Sequence, residues 1–230
     1  MKAFLLAAGA GERLPAITNK IPKCLVSINN KPLLEIWLKL CQKHNIDEVL
    51  INGHHLAKQV ERFINKNRNG FNLKIKYIYE DELKGTGGTI RDNFDFVKNE
   101  KCFYIFHADN YTNINLVQFK KFHLSRNSPL TIALFHTKVP EQCGIIDKIN
   151  KNGLITSFIE KPKKPKSDLA NAAIFITSPK IIKDFPAKKK FDFSKEILPK
   201  YIGKMYGYLI KGFNVDIGTL EMYKYAQNIK

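Results

Sequence analysis

MKAFLLAAGAGERLPAITNKIPKCL, from Met1 to Leu25, decides how the rest of this chain is read. An apolar run, Ala3 to Ala8, gives way to a loop of small residues at Gly9, Ala10 and Gly11. A buried strand that empties into a glycine loop lets backbone N–H groups approach an anion with no side chain in the way. Arg13 follows the loop and Lys23 lies ten residues further on, so a forked cation and a point cation stand beside it. The dinucleotide fingerprint GxGxxG fails, because Leu14 stands where its third glycine belongs, and no Gly-Lys-Ser/Thr follows to make a P-loop. A triphosphate cradle and a plain helix cap with two surface cations both remain open on these residues alone.

Working outward, β-like and helix-like segments alternate. Lys2–Leu6, Glu48–Asn52, Leu73–Tyr79 and the wholly apolar Cys102–Phe106 read as strands, the last ending at His107-Ala108-Asp109-Asn110. Pro32 opens a helix whose Leu33, Leu34, Trp37, Leu38, Leu40 and Cys41 fit a helical period, and 56–65 reads as another. Gly85–Gly88 reads as a turn before a helix near 90–97. In the second half, 130–137, 170–176 and 205–210 are strands, 144–149 with 155–160 forms a hairpin, and helices cover 113–125, 180–185, 194–201 and 220–227. The expectation is an α/β fold: a Rossmann-like, mostly parallel sheet flanked by helices, with a small inserted β lobe. Residues 1–230 are expected to form one domain, with 1–125 as a nucleotide-binding half and 126–230 as a sugar-phosphate-binding half.

Composition narrows the partners. The 230 residues carry 38 Lys+Arg against 21 Asp+Glu, a formal net charge of +17, with 44% hydrophobic residues. The lysines are spread along the chain and no zinc finger, basic-aromatic motif or basic heptad accompanies them, so a nucleic-acid module rests on charge alone and a small polyanionic substrate suits it as well. No apolar run reaches 18 residues and no signal peptide opens the chain, which makes neither a membrane span nor export the expectation. Cys24, Cys41, Cys102 and Cys143 are widely separated and read as reduced thiols of a cytoplasmic protein.

These residues resemble the sugar-1-phosphate nucleotidyltransferases, whose signature runs L-A-x-G-x-G-x-R-L-x-P-x-T-x-x-x-P-K-x-L. Here Leu6-Ala7-Ala8-Gly9-Ala10-Gly11-Glu12-Arg13-Leu14, Thr18 and Pro22-Lys23-Cys24-Leu25 follow it. Glu12 replaces the usual Thr and Pro15 falls one position early, which predicts a locally reshaped loop. Further elements appear in the family's order: Lys84-Gly85-Thr86-Gly87-Gly88 resembles L-G-T-A-G, His107-Ala108-Asp109-Asn110 the G-D-N element, Glu160-Lys161-Pro162 the E-K-P motif, and Asp216-Ile217-Gly218-Thr219 the late D-I-G-T. Gly144 matches a glycine near the sugar, and Asn171 falls in the A-N-x-G-I-Y segment, with Ala173 in place of its glycine and Asn214 in place of the Trp before D-I-G-T.

The resemblance implies transfer of a nucleotidyl group from a nucleoside triphosphate to a sugar 1-phosphate, with release of pyrophosphate. Under it Asp109 and Asp216 hold Mg2+, Arg13 and Lys23 steady the triphosphate, and Leu6, Ala8, Gly9, Ala10, Gly11, Glu12, Glu80, Gly85 and Thr86 line the nucleotide. Asn110, Gly144, Glu160, Lys161 and Asn171 line the sugar phosphate. Both reactants are polyanions, so the chemistry is charge neutralisation and positioning, and the attacking phosphate oxygen needs no general base. A helix N-cap role for Asp109 and a turn role for Asp216 stay open.

Glu80 stands where relatives that use thymine or uracil often carry Gln, and an inward carboxylate can accept from N1–H and the 2-amino group of guanine. With Gly85–Gly88 and Cys143–Ile146 this resembles guanylyltransferases acting on mannose or heptose 1-phosphates. UTP- or dTTP-dependent enzymes of the glucose, N-acetylglucosamine or muramic type, a phosphocholine cytidylyltransferase and a non-catalytic nucleotide-sugar-binding protein are the alternatives. Neither nucleic acid nor membrane is an expected partner, a homodimer is left open, and no C-terminal β-helix is expected.

Overall fold

The computed structural model describes residues 1–229. In chain order its strands are β1 (Lys2–Leu6), β2 (Ser27–Ile28), β3 (Lys31–Pro32), β4 (Glu48–Gly53), β5 (Lys74–Tyr79), β6 (Phe103–His107), β7 (Asn110–Thr112), β8 (Leu130–His136), β9 (Gly144–Ile149), β10 (Ile155–Glu160), β11 (Leu169–Thr177), β12 (Tyr206–Leu209) and β13 (Asn214–Asp216). The α-helices are α1 (Pro15–Thr18), α2 (Leu33–Lys43), α3 (Ala57–Asn67), α4 (Gly85–Asp92), α5 (Leu116–Ser125), α6 (Phe193–Glu196) and α7 (Leu220–Gln227).

Two compact units share the chain in alternation. One takes Met1–Leu83, Phe106–Asn113 and the segment from Phe213 onward; the other takes Lys84–Ile105 and Ile114–Gly212. The division crosses the chain four times, where the sequence leads one to expect a single boundary near residue 125. The cause is β7 and β13, distant in sequence, which pair antiparallel with Asp216 opposite Asn110 and so draw two late segments into the first unit.

In the first unit β1, β4 and β5 pair in parallel, Leu5 opposite Ile51 and Ile51 opposite Tyr77. Ala3, Phe4, Leu5, Val49, Leu50 and Ile51 are all fully buried, as strands covered on both faces require. Helix α2 buries Leu33, Leu34, Trp37, Leu38 and Cys41, and the Trp37 ring stacks on Phe106 at 4.8 Å. Each such fully buried side chain contributes roughly 1.5–3 kcal/mol relative to an exposed one.

The second unit is built mainly from antiparallel pairs, β8 with β11 and β9 with β10, with β12 added in parallel to β8. The β9–β10 hairpin is the one expected from sequence, and its turn is held by Gly153 N–H donating to the Asn150 carbonyl at 2.9 Å. Three expected helices differ. Gly85–Gly88, expected as a turn, forms the first turn of α4. The stretch expected as one helix over 194–201 is α6 followed by a 3-10 turn over Leu198–Tyr201, because Pro199 offers no N–H to continue the α ladder. Residues 180–185 fall in a 3-10 turn as well, Pro179–Asp184.

Candidate active site

The glycine loop ends β1 in the first unit. Gly11 has φ +70, the left-handed region open to glycine, and its carbonyl accepts from Leu14 N–H at 2.9 Å. Pro15, the displaced proline, is the first residue of the one-turn helix α1, where its fixed φ suits and a missing N–H costs nothing. Thr18, at the end of that turn, is buried and donates its hydroxyl to the carbonyls of Gly11 and Leu14, both at 2.8 Å. Glu12 and Arg13 are exposed on the loop. The reshaped loop expected from Pro15 is thus a short helix tied back to the glycines by Thr18.

Four charged side chains meet beside it. Lys23, only 7% exposed, donates from Nζ to Asp109 Oδ2 at 2.7 Å and to Asp216 Oδ1 at 2.9 Å. Arg13 Nη2 donates to Asp216 Oδ2 at 2.8 Å. Burial acts to lower the Lys23 pKa, but the two carboxylates outweigh it and raise it, so the ammonium stays charged. Burial also acts to raise Asp109, yet Lys23 and His107 pull its carboxyl down to about 2. Gly218 makes the arrangement possible. A Cβ there would collide with Arg13 Nη2, lie 2.7 Å from its Cζ and crowd Asp216 Oδ1 at 3.0 Å.

Neither carboxylate caps a helix. Asn115 caps α5 by accepting from Gln118 N–H at 3.0 Å, and Thr219 caps α7 by accepting from Met222 N–H at 3.3 Å. Neither Asp109 nor Asp216 is taken up by a helix end; their carboxylates are held by the cations Lys23 and Arg13 instead. A hard divalent cation takes one or two carboxylates and completes its shell with phosphate oxygens or water. Two carboxylates aimed at one point, with no third acidic, His or Cys ligand among the described residues, fit that donor set.

At the end of β5 Glu80 is 3% exposed, and its Oε1 accepts from Asn52 Nδ2 at 3.1 Å. Asn52 in turn accepts from Ala7 N–H at 2.8 Å, so the carboxylate is held from the strand that carries the glycine loop. The inward orientation that a base-reading role needs is present. His54 donates from Nδ1 to the Glu80 carbonyl at 2.8 Å, and His55 from Nε2 to the Thr18 carbonyl at 2.9 Å. His54 and His55 fall between the strand expected over Glu48–Asn52 and the helix expected over 56–65, where spacing alone marks no role for them or for Asn52. The available signal was a polar residue closing an apolar strand. Asn110 is buried, with its amide directed at the His107 carbonyl at 3.4 Å and its own carbonyl accepting from Trp37 Nε1 at 2.8 Å.

The second unit gathers the other motif residues. Gly144 leaves the room that Glu160 occupies: a Cβ there would lie 2.6 Å from Glu160 Oε2. Burial, then nearby Asp192, raises the Glu160 pKa, while Lys161 and Lys195 act to lower it. Lys161 has φ +49, so the chain bends sharply as it leaves β10. Asn171 Oδ1 accepts from Ala173 N–H at 2.8 Å across an irregularity in β11, which leaves its Nδ2 the freer group, 3.5 Å from Ser194 Oγ. Thr86 Oγ1 donates to Asp192 Oδ2 at 3.1 Å and accepts from Phe193 N–H at 2.8 Å. Gly85 and Gly87 let Phe191 press against α4, since a Cβ on either would overlap that residue.

Residues 2–229 match the family described as Nucleotidyl transferase. The chain is 31% identical over 224 residues to a D-glycero-alpha-D-manno-heptose 1-phosphate guanylyltransferase of Campylobacter jejuni, covering 97% of each. It is 28% identical over 221 residues to the mannose-1-phosphate guanylyltransferase catalytic subunit beta of Danio rerio, covering 95% of this chain and 61% of that one. Among solved structures, HddC from Yersinia pseudotuberculosis complexed with GMP-PN superposes with a TM-score of 0.83 at 27% identity, over 98% of this chain and 97% of that one.

Proposed function

The chain belongs to the nucleotidyl transferase family, and from that membership we propose that it joins GTP to a manno-configured heptose 1-phosphate, releasing pyrophosphate and a GDP-sugar, with Mg2+ as the cation. The observation that carries the reading is the Arg13–Asp216–Lys23–Asp109 cluster, two cations and two carboxylates drawn around one point beside a glycine loop.

The roles follow from charge. Arg13, on an exposed loop, can fork onto phosphate oxygens and answer the charge that builds as the bond to pyrophosphate breaks. Lys23 is held by its carboxylates at the foot of the loop, where a fixed ammonium aligns a triphosphate at little further cost in order. A bound Mg2+ supplies Lewis-acid neutralisation of phosphate charge at Asp109 and Asp216. The attacking sugar-phosphate oxygen is ionised at neutral pH, so no side chain has to remove a proton. Lys161 supplies a positive charge for that phosphate, and Glu160 and Asn171 accept from and donate to sugar hydroxyls. Glu80, buried and braced by Asn52, supports guanine, whose N1–H and 2-amino group both donate, over the pyrimidines.

A grid of GTP, ATP, UTP, CTP and dTTP against heptose, mannose, glucose and N-acetylglucosamine 1-phosphates and phosphocholine, read by pyrophosphate release, tests the proposal. Fastest turnover is expected with GTP and the heptose. Preference for UTP or dTTP with glucose 1-phosphate, for CTP with phosphocholine, or no release at all would each replace it. Glu80→Gln is expected to shrink the preference for GTP over UTP at least tenfold, since a buried site rejects a ligand that leaves its polar groups unpaired.

A further inference from the structure

Away from the motif residues, the second unit holds a cavity of about 550 Å3 that the reaction does not use. Its wall is assembled from four separate stretches: the approach to β6, the end of α5, the 3-10 turn Pro179–Asp184, and the segment from Lys200 to Lys204. Those stretches bring Lys101, Lys180, Lys183, Lys200 and Lys204 to one concavity, with Asp184 as its one acidic residue. That aspartate offsets one of the five charges but forms no direct ion pair with any of the lysines. Its carboxylate accepts from the Tyr201 hydroxyl at 2.6 Å, and Lys200 Nζ donates to its backbone carbonyl, not to the carboxylate. None of the five lysines forms an ion pair with a carboxylate among the described residues.

Ion pairs do hold other lysines, among them Lys39 with Glu35, Lys84 with Asp92, Lys98 with Asp95 and Lys188 with Glu196; what sets the five apart is that they line one hollow. Five unpaired ammonium groups around one hollow repel each other, and the concave wall focuses their field. A ligand of matching charge relieves that repulsion. A diphosphate brings roughly three to four negative charges in a compact space, and the cavity lies within the size range of small-molecule sites, about 300–1,000 Å3.

We propose that this cavity is a second anion site of the protein, one that takes a diphosphate group, either free as pyrophosphate or carried by a nucleotide. Tyr201 and Asp184 are its rigid floor and the lysines its adaptable rim. No residue of the Arg13–Asp216–Lys23–Asp109 cluster takes part, so occupancy here needs no turnover.

The test is calorimetric titration in EDTA, with inorganic pyrophosphate and with GDP as probes, on the wild type and on a Lys180→Ala/Lys183→Ala/Lys204→Ala variant. Expected is one more bound pyrophosphate per chain in the wild type than in the variant, with affinity at that site falling at least tenfold between 50 and 300 mM NaCl, in line with several displaced counterions. The variant keeps wild-type pyrophosphate release from GTP, because none of its changes touches the catalytic cluster. Tighter binding of pyrophosphate than of GDP assigns the site to the free ion, and the reverse order to the nucleotide. Lysine acetylation read by mass spectrometry gives a second measurement that needs no variant: pyrophosphate should protect Lys183 and Lys204 of the wild type at least threefold. Equal stoichiometry in wild type and variant, or no protection of any of the five lysines, overturns the proposal. So does protection by single-stranded RNA without protection by pyrophosphate, which would give the patch to nucleic acid.

Discussion

Replacing Gly218 with alanine should nearly abolish turnover while leaving the fold intact. The added Cβ would stand 2.7 Å from Arg13 Cζ, and closer still to Nη2, where nonbonded carbons need about 3.5–4.0 Å. The guanidinium must therefore retreat by roughly 1 Å, which breaks its 2.8 Å bond to Asp216. Arg13 is a long side chain, 48% exposed, so the retreat costs the folded state little: an exposed ion pair is worth about 0–1 kcal/mol. The melting temperature should fall by no more than about 4 °C. The transition state loses much more. A donor misplaced by about 1 Å lowers rate roughly 100-fold, and removing a donor to developing oxyanion charge costs about 2.7–4 kcal/mol. Pyrophosphate release at saturating GTP should show kcat down by about two orders of magnitude with KM changed far less. Arg13→Ala should give a similar loss, and the double variant should lose little more than either single one, since both remove the same contact. Unchanged kcat in Gly218→Ala, or additive losses in the double variant, would refute the link between this glycine and the arginine.

Three further outcomes follow from other parts of the molecule. Ala173 sits at φ +54, where a Cβ is strained by about 1–2 kcal/mol, so Ala173→Gly should raise the urea midpoint in spite of glycine's larger unfolded-state entropy; a lower midpoint would contradict the strain. His123, buried with Nδ1 on Thr131 Oγ1 at 2.8 Å, has its pKa lowered by burial to about 4. The unfolded chain, with a histidine near 6.5, binds more protons between these values, so stability is present above pH 6.5 and is lost as pH falls toward 4, by up to about 3 kcal/mol. Denaturant titrations at several pH values should show this slope flattened in His123→Gln; identical slopes would remove His123 as its source. Lys23→Met leaves the Asp109 and Asp216 carboxylates facing each other without their shared cation, and should lower the thermal midpoint in EDTA and recover part of it in millimolar Mg2+. A midpoint indifferent to Mg2+ in that variant would argue against the two carboxylates as cation ligands.

The sequence made the first strand and its loop legible because both rest on local rules: an apolar run, then glycines where the backbone must turn left-handed. Asp109 and Asp216 are marked by their resemblance to the G-D-N and D-I-G-T elements of a known family, and the structure brings both to Lys23. What escaped was decided by contacts remote in the chain. Gly87 and Gly88 look like turn residues by propensity, but they lie in α4, where Phe191 packs in the place of a Gly87 side chain and the Lys189 carbonyl and Lys84 Cβ would stand 3.0 Å from a Cβ on Gly88; close approach outweighs the entropy that glycine loses in a helix. Asn52 was invisible as a brace because its partners, Ala7 N–H and Glu80, lie on neighbouring strands. The early proline is visible in the sequence as a departure, but only Thr18 bonding back to Gly11 and Leu14 explains how the loop absorbs it.

The alternation of the two units along the chain has a consequence for how the protein is born. Arg13 and Lys23, Asp109, and Asp216 lie on the three separate stretches that make up the first unit, and the last of these begins at Phe213. A nascent chain emerging from the ribosome has every residue of the second unit by Gly212, yet it still lacks Asp216 and cannot complete the Arg13–Asp216–Lys23–Asp109 cluster. Domains tend to fold as units during synthesis, at about 5–20 residues per second. Here the cluster must wait for a partner strand more than a hundred residues downstream of β7, so β13 acts as its closing stitch.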